Sequence, residues 1–512
     1  MNALYSQLLL WRQRPAGKID TRSHALGLNV LFYLLKAGTQ SSMVPQAYTA
    51  ISPHHLLSII GLMMLLTACT TYQPKSLENN SPLATNISEI QVKVGELRDS
   101  SSSSYVIDPS DGLDLTEVGM LAVINNPDLK SQRAQWRVAG AQAFAAGLLP
   151  DPQFSYGLDK PTGSHSGLVN AWAMGLSYDI VPLITRQARV DATRAQQDKV
   201  RLDLLWQEWQ VIQQARTLAV RIQLESDRLT LLYDMRKLYT DRYQRSARAL
   251  QDKDITLDVN GTDLTALLDT LSQINQLQQV HNQTRHDFNL LLGLAPDVEV
   301  TMTPLPPTSP LIAQQVSGQL AELGNIRPDL LALKAGYESQ EANVRAAILA
   351  QFPSLGIGIN SARDTGSVNT AGFSISLTLP LFSGNRGNIA IERATRELLQ
   401  QEYSVRLAQA NVDVDRLLKL QTLLQEQSAS LQTYLPVLKV LVDRARRAYD
   451  RGDIDALTFL NMESTWVNRR LEEIGLTQSA WENSIALNAL LALPGLPAQP
   501  LLTTPAAPDA TP

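Results

Sequence analysis

Few side chains in this sequence of 512 residues are of the kinds that carry covalent or metal chemistry. There is one cysteine, Cys69, so neither an intrachain disulfide framework nor a CxxC zinc or redox site is possible. The six histidines do not cluster as metal ligands do, and His281 and His286 are expected at the surface. No Gly-rich loop for nucleotide phosphates, catalytic triad or carboxylate pair is evident. We therefore expect no enzyme activity, no metal and no cofactor.

Cys69 can serve as an acyl acceptor. The apolar run at 56–66 is too short to span a bilayer as a helix, but it has the length of the h-region of a secretory signal. Leu66-Thr67-Ala68-Cys69 resembles the lipobox of bacterial lipoproteins, in which the cysteine is acylated and becomes the new N-terminus. The alternative is a buried free cysteine after an ordinary helix.

Acylation at this cysteine divides the N-terminal region into two segments. Residues 1–68 are then a leader, with Met1 or Met43 as the translation start, and 69–112 are a lipid-anchored segment and linker. By resemblance to lipoprotein sorting, Thr70 favours the outer membrane over retention at the inner membrane.

The rest of the sequence is a tandem duplication with a period of about 200 residues. Asn126-Pro127-Asp128-Leu129 recurs as Arg327-Pro328-Asp329-Leu330, and Lys253-Asp254-Ile255 recurs as Gly452-Asp453-Ile454. The resulting segments are a first repeat at 113–296, a linker at 297–313, a second repeat at 314–495 and a disordered, Pro- and Ala-rich tail at 496–512.

Each repeat has the same predicted order of helix, β-hairpin, very long helix, tight turn and helix, so we expect a mainly α fold with a small β part. The helices are predicted at 116–149, 187–251 and 262–292 in the first repeat, and at 329–350, 387–451 and 455–492 in the second. A helix over 187–251 is about 100 Å long. It is too thin for a core of its own, so other helices or other chains must cover its apolar seam.

The two predicted hairpins, at 153–180 and 353–380, alternate apolar residues with small or polar ones. One interpretation is a soluble sheet with one face on a core. The interpretation we prefer is the wall of a transmembrane barrel, apolar toward lipid. Its lipid-facing residues are then Phe154, Tyr156, Trp172, Met174, Leu176, Tyr178, Leu355, Ile357, Phe373, Ile375 and Leu377. Four strands are fewer than the roughly eight of the smallest such barrels, so this interpretation requires an oligomer.

Several short motifs, each weak alone, are specific in their order, duplication and spacing. They are the Asn-Pro-Asp-Leu and Arg-Pro-Asp-Leu helix starts, Ala146-Gly147-Leu148-Leu149-Pro150-Asp151-Pro152, Leu379-Pro380-Leu381-Phe382-Ser383-Gly384-Asn385 and Arg447-Ala448-Tyr449-Asp450-Arg451-Gly452-Asp453-Ile454. With these motifs, residues 113–495 resemble the TolC-like family of outer-membrane efflux proteins, in its lipid-anchored branch.

The resemblance implies a homotrimer that forms an outer-membrane β-barrel and a periplasmic α-helical barrel. It also implies a passive export duct in the outer membrane of a Gram-negative bacterium, within a tripartite efflux system. Its partners would be a periplasmic adaptor (membrane fusion protein) and an inner-membrane pump. The alternative function is a periplasmic coiled-coil scaffold or adaptor lipoprotein without a pore. A formal net charge of -5 and the lack of a basic segment argue against a nucleic-acid partner.

The two tight turns are the candidate tips for docking the adaptor. They are formed by Lys253-Asp254-Ile255 and by Gly452-Asp453-Ile454. Glycine readily adopts the positive φ that follows many helix ends. Because the first turn carries lysine where the second carries glycine, we expect the two corners to differ in geometry.

A possible gate lies just after the second turn. Many members of the family carry aspartates here that narrow the closed tunnel, and the matching positions in this chain are Thr458 and Asn461. Asp455 and Glu463 are nearby substitutes, although a solvated helix face is the interpretation we prefer for both. We therefore expect a polar but weakly charged constriction.

This expectation is testable in single-channel recordings. The substitutions Thr458→Ala and Asn461→Ala remove the polar groups from the constriction, so we predict that closed-state conductance in planar bilayers changes. Conductance that stays the same in both variants would show that neither side chain lines the narrowest point.

Overall fold

The computed structural model describes residues 72–90, 112–162, 167–311 and 313–492. The described residues from Leu83 onward belong to one compact unit, and residues 72–82 belong to a second, in which they are extended and mostly exposed. Cys69, the leader at 1–68 and the tail at 496–512 lie outside the described residues. None of the described helices is both long enough and apolar enough to cross a membrane.

The first repeat contains four helices around one hairpin: α1 (Leu115–Asn125), α2 (Pro127–Gly147), α3 (Val181–Gln251) and α4 (Leu257–Leu291). The single helix expected at 116–149 is therefore two helices. Pro127 has no N–H to donate, and the Asn126 side chain instead accepts a hydrogen bond from the Leu129 N–H at 3.0 Å, which caps the new helix. The long helix starts six residues earlier than expected, with Pro182 in its first turn.

The second repeat has the same order: α5 (Ala313–Ile326), α6 (Pro328–Leu349), α7 (Arg386–Asp450) and α8 (Ala456–Leu490). Three of these helices lie within a residue or two of their expected bounds. The sequence analysis missed α5, which precedes Arg327-Pro328 as α1 precedes Asn126-Pro127. The duplication of helix, hairpin, long helix and helix is thus confirmed, and it includes an additional short helix in each copy.

The four strands form one antiparallel sheet in the order β1 (Gln153–Asp159), β2 (Ala171–Asp179), β3 (Ser354–Arg363) and β4 (Asn369–Thr378). The hairpins of the two repeats are joined by pairing of β2 with β3, in which Leu176 lies opposite Ile359. The outer strands β1 and β4 each have one partner, so both edges of the sheet are open within the protomer.

The helices also form a row with two open edges. On one side α3 packs against α2 and α4 of its own repeat, and on the other against α6 and α8 of the second repeat. In turn α7 packs against α6 and α8, and it has no comparable contact with α2, α3 or α4 in the described parts of the chain. At about 1.5 Å per residue, the 71 residues of α3 span roughly 107 Å. Two shorter helices are therefore needed on each side to pack along its full length.

The largest apolar cluster lies near the middle of the long helix, where the shorter helices meet. Side chains of α1, α3 and the end of α4 pack together there, and Phe288, Val118 and Ala215 are essentially inaccessible to solvent. A smaller cluster that contains Val316, Val414 and Leu487 holds α5, α7 and α8 together at the corresponding place in the second repeat. Burial of these groups, at about 25 cal/mol per Å² of apolar surface, is what fixes the helices to one another.

The two tight corners have the same backbone geometry, so the expectation that they differ is wrong. Lys253 and Gly452 both have positive φ, 66° and 78°. In each corner this residue donates to the carbonyl three residues earlier, at 3.1 and 2.9 Å, and the next residue donates to the carbonyl five residues earlier, at 2.8 Å in both. These hydrogen bonds close the helix end and require the left-handed conformation, which costs a lysine about 1–2 kcal/mol.

Substitutions at the two corners should therefore change the stability of the protein in opposite directions. We predict that Lys253→Gly raises the free energy of unfolding by about 1 kcal/mol and that Gly452→Ala lowers it by about 1–2 kcal/mol. No atom lies within 4 Å of the position that a Cβ on Gly452 would occupy, so the loss comes from backbone strain alone. Thermal unfolding in detergent measures the differences.

Gly318→Ala is the matched control, because Gly318 lies exposed within α5 and has no positive φ. There the same substitution should stabilise by about 0.5–1 kcal/mol. A loss of stability at both glycines would contradict the backbone explanation.

Candidate functional site

The two faces of the sheet differ completely in chemistry. The strand register places all eleven predicted lipid-facing residues on one face, and rows such as Phe154, Leu176, Ile359 and Phe373 run straight across the four strands. Among the residues that the structure describes, none covers this face: Phe154 is 69% exposed, Phe373 65% and Ile375 63%. The soluble-sheet interpretation needs this face packed on a core, and that packing is absent among the described residues.

The opposite face carries mainly glycine, serine, alanine, threonine and asparagine, with Gln153, Asp159 and Asp179 at its ends. Serine hydroxyl groups lie over the glycines of neighbouring strands, so that a Cβ added to Gly358 would come within 2.8 Å of Ser374 Oγ. This face is therefore both polar and composed of small side chains. A sheet that is apolar on one side and small and polar on the other matches a barrel wall between lipid and water.

An exposed apolar stripe marks one edge of the helical row. Along α7, Ile391, Leu398, Val405 and Val412 follow one another at seven-residue intervals, and each is 57–66% exposed. Side chains at this spacing form one seam on a helix, as in coiled coils. At the other edge of the row, Phe144 of α2 and Leu268 of α4 are also more than half exposed. No residue in the described ranges covers either edge.

The candidate docking tips lie at the end of the long helices that is remote from the sheet. The corner residues of both are exposed, apart from Ile255 and Ile454, which are half-buried. At the second corner, the Arg451 guanidinium forms an ion pair with the Asp453 carboxylate at 2.8 Å, and both side chains are more than half exposed. Such an exposed pair adds little stability, so its charges remain accessible to a partner.

The candidate gate residues have separate environments. Asp455 is the N-cap of α8: its carboxylate accepts from the Thr458 backbone N–H at 2.6 Å and from the Thr458 hydroxyl at 3.1 Å. These two hydrogen bonds, the backbone one first, lower the pKa of Asp455. Asn461 is exposed near them.

Glu463 does not lie on a solvated face, as its 5% exposure shows. The Arg446 guanidinium holds its carboxylate in an ion pair at 2.8 Å. In the sequence its charge suggested solvent, but a partner 17 residues away on the neighbouring helix allows it to be buried.

Comparison with known proteins bears directly on this arrangement. Residues 321–493 match the outer membrane efflux protein family. This region is an outer membrane efflux protein domain. The chain is 29% identical over 173 residues to the probable outer membrane lipoprotein SilC of Salmonella typhimurium, covering 31% of this chain and 37% of SilC. It is 28% identical over 177 residues to the cation efflux system protein CusC of Escherichia coli strain K12, covering 32% and 38%.

These sequence matches therefore span less than two fifths of the length of either relative. The structural match is more extensive. The crystal structure of CusC has a TM-score of 0.62 against this chain at 18% identity, covering 82% of this chain and 98% of CusC. Both repeats, and not only the matched domain, thus have the fold of outer membrane efflux proteins.

Near the tips, a buried polar junction links the helix pair α3 and α4 of the first repeat to the pair α7 and α8 of the second. Arg242 of α3 is 7% exposed and lies 3.4 Å from the Asp263 carboxylate of α4, which is also buried. Its guanidinium donates to the Ala456 carbonyl at 3.2 Å. It also lies 5.4 Å from the ring of Tyr449 and 5.7 Å from that of Phe459, which stack on each other.

Sequence analysis did not find this junction, because its members are separated by up to about 200 residues and no motif joins them. The signal available was a charged residue, Arg242, within the apolar seam of a long helix. Tyr239 lies one turn away, and burial, with the negative charge of Glu463 as a second cause, raises its pKa to about 12. The junction is a buried, polar contact between the two repeats.

One expected surface residue also lies elsewhere. His281 is half-buried, with its Nδ1 3.2 Å from the Glu225 carboxylate, which also accepts from the Thr284 hydroxyl at 3.2 Å. His286 is exposed, as expected. In the described part of the chain, no group of three or more His, Cys, Asp or Glu side chains is arranged to hold a metal.

The Arg242 junction leads to a stability prediction. Arg242→Met leaves the Asp263 carboxylate buried without a partner, so we predict a loss of about 3–5 kcal/mol in the free energy of unfolding. The double variant Arg242→Met/Asp263→Leu removes both charges and should recover most of the loss. Thermal unfolding in detergent reports both changes.

Arg245→Met is the control three residues along the same helix. Arg245 pairs with Asp241 at 2.9 Å, but its side chain is 74% exposed, so the loss should stay below about 1 kcal/mol. Equal effects of the two single substitutions would show that the buried junction has no special role.

Proposed function

We propose that this chain forms the outer-membrane channel of a tripartite efflux system and passively conducts solutes across the periplasm and the outer membrane. The observation that carries the proposal is the sheet. Its apolar face is uncovered, its other face is small and polar, and both of its edges are open. Lipid would bury the apolar face, and strands of other copies would supply the hydrogen-bond partners that the two edge strands lack.

The oligomer that we propose is a homotrimer. Two copies would supply eight strands and three would supply twelve, so either number reaches the size of a small barrel. The trimer is favoured by the family resemblance. In a ring, β4 of one copy pairs with β1 of the next, and the apolar stripe of α7 packs against the α2 and α4 edge of the same neighbour. Both layers then close through one head-to-tail interface.

The mechanism we propose is conduction without chemistry. A water-filled passage lets a polar solute cross the membrane without the cost of leaving water, which is several kcal/mol for a polar group without hydrogen-bond partners. The sequence has no Gly-rich loop of the kind that holds nucleotide phosphates, so in this proposal the energy for export comes from an inner-membrane pump. A periplasmic adaptor would connect that pump to the corners at 253–255 and 452–454.

Membrane anchoring and domain limits belong to the same proposal. Cys69 would carry the lipid, which agrees with the name of SilC as a probable outer membrane lipoprotein. The segment at 69–112 would then connect the anchor to the first repeat at 113–296, and the second repeat would end at 495. The protein would lie in the outer membrane and extend into the periplasm.

Reconstitution tests this function directly. Purified protein in detergent should elute as an oligomer by light scattering and should form steady pores in planar bilayers. The competing function, a periplasmic scaffold without a pore, predicts no conductance. A monomer in detergent without pores would contradict the channel.

Adjacent residues of β4 provide a sharper test, because Phe373 and Ser374 lie on opposite faces of one strand. We predict that Phe373→Lys places a charge in lipid at a cost of about 2–4 kcal/mol per copy and prevents insertion. Ser374→Lys should still insert but should alter conductance, since its charge lies in the passage. Membrane fractionation and bilayer recordings distinguish the two, and insertion of both variants alike would refute the assignment of the faces.

A further inference from the structure

The small-residue face of the sheet is almost free of charge. The strand register places nineteen residues on it, and the only ionisable ones are Asp159 and Asp179. These two lie at opposite ends of the sheet, eight residues of β1–β2 register apart or about 27 Å. Between them the face presents hydroxyl, amide and backbone groups, which interact equally with solutes of either charge.

Asp179 lies where the sheet meets the long helices. It is opposite Gly356 in β3, and Gly356 is opposite Ser376 in β4, so each protomer contributes one carboxylate to this row. The side chain is exposed, and its Oδ1 accepts from the Val181 N–H at 3.0 Å. That hydrogen bond fixes the carboxylate at the start of α3.

The basic groups at this end of the sheet belong to the long helices and not to the small-residue face, and they keep their charge because their partners are neutral carbonyls. Arg186 donates to the Gly147 carbonyl, Arg189 to the Pro182 carbonyl and Arg386 to the carbonyls of Phe382 and Ser383. Among the described residues, no Lys, Arg or His nitrogen forms an ion pair with Asp179. The α3 N-terminus contributes about half a positive charge, which reduces the negative charge of the carboxylate without cancelling it.

Asp159, at the other end, is a weaker candidate. It is followed directly by Lys160, which is exposed like Asp159 itself, so the two opposite charges lie side by side at the loop end of the sheet. The row at Asp179 is therefore the place in the sheet where a net charge remains.

We propose that Asp179 sets the charge selectivity of the sheet portion of the duct, admitting cationic and neutral solutes in preference to anions. The inference rests on the proposed function, since a passage exists only when the sheet closes. Copies of the chain would then place their carboxylates in one ring at the junction between sheet and helices. Such a ring attracts cations and repels anions over about 10 Å at 0.1 M salt.

Reversal potentials in planar bilayers test this directly, with potassium chloride as the probe at a tenfold gradient and low salt. The wild-type channel should be more permeable to potassium than to chloride. Asp179→Asn should lower that ratio about two- to fivefold, an effect of the size expected for one charge at short range in water. Asparagine retains an oxygen acceptor for the Val181 N–H, so the start of α3 should be unchanged.

A gain-of-charge variant keeps the test independent of that substitution. Ser376→Asp adds a carboxylate to the same row and should raise the ratio, whereas Asp159→Asn should change it less than Asp179→Asn does. In 1 M salt, where screening acts within about 3 Å, the differences between variants should shrink.

The outcomes separate the two proposals. Pores with the same ratio in the wild type, Asp179→Asn and Ser376→Asp would overturn the role of Asp179 and leave the channel function standing. Absence of pores in the wild type would overturn the channel function itself and the inference with it.

Discussion

The constraint on which the rest of the structure depends is the backbone hydrogen bonding of an open sheet. Four strands leave the N–H and C=O groups of two edge strands without partners, and in lipid each such group costs several kcal/mol. Water can satisfy these groups, but the apolar face of the same sheet is unfavourable in water. The closed ring of several copies that we propose satisfies both faces and both edges. In this proposal the strands themselves call for the assembly.

The helical layer meets the same requirement by different means. Each helix satisfies the hydrogen bonds of its own backbone N–H and C=O groups. What the two edges of the helical row leave exposed is apolar side chains. One continuous apolar seam runs along the first half of α7 and is formed by Ile391, Leu398, Val405 and Val412, which lie seven residues apart. In the ring that we propose, one neighbouring copy would cover both an edge of the sheet and an edge of the helical row. The buried Arg242 junction, in contrast, holds the two repeats together within a protomer.

Much of this architecture was predictable from the sequence because its signals are local. The absence of Pro and Gly over 187–251 and the two-residue alternation of the hairpins each indicate one element. The break at Asn126 depends on one capping side chain, which leaves little trace in the apolar pattern. The helix at 313–326 contains two glycines, which have low helix propensity, so its sequence argues against a helix although its apolar residues have helical spacing. The burial of Glu463 and His281 could not be predicted, since it depends on Arg446 and Glu225, which only the tertiary structure brings close.

The matched corners have a consequence for recognition. Lys253 and Gly452 share one backbone trace but differ by a long cationic side chain. A partner that contacts only the main chain would find two equivalent binding sites on every protomer, so two copies of it would bind per channel subunit. A partner that recognises surface charge would distinguish the two sites and bind only one of them on each protomer. The duplicated geometry thus leaves the choice between these two stoichiometries to the side chains that differ between the corners, Lys253 in the first and Arg451 in the second.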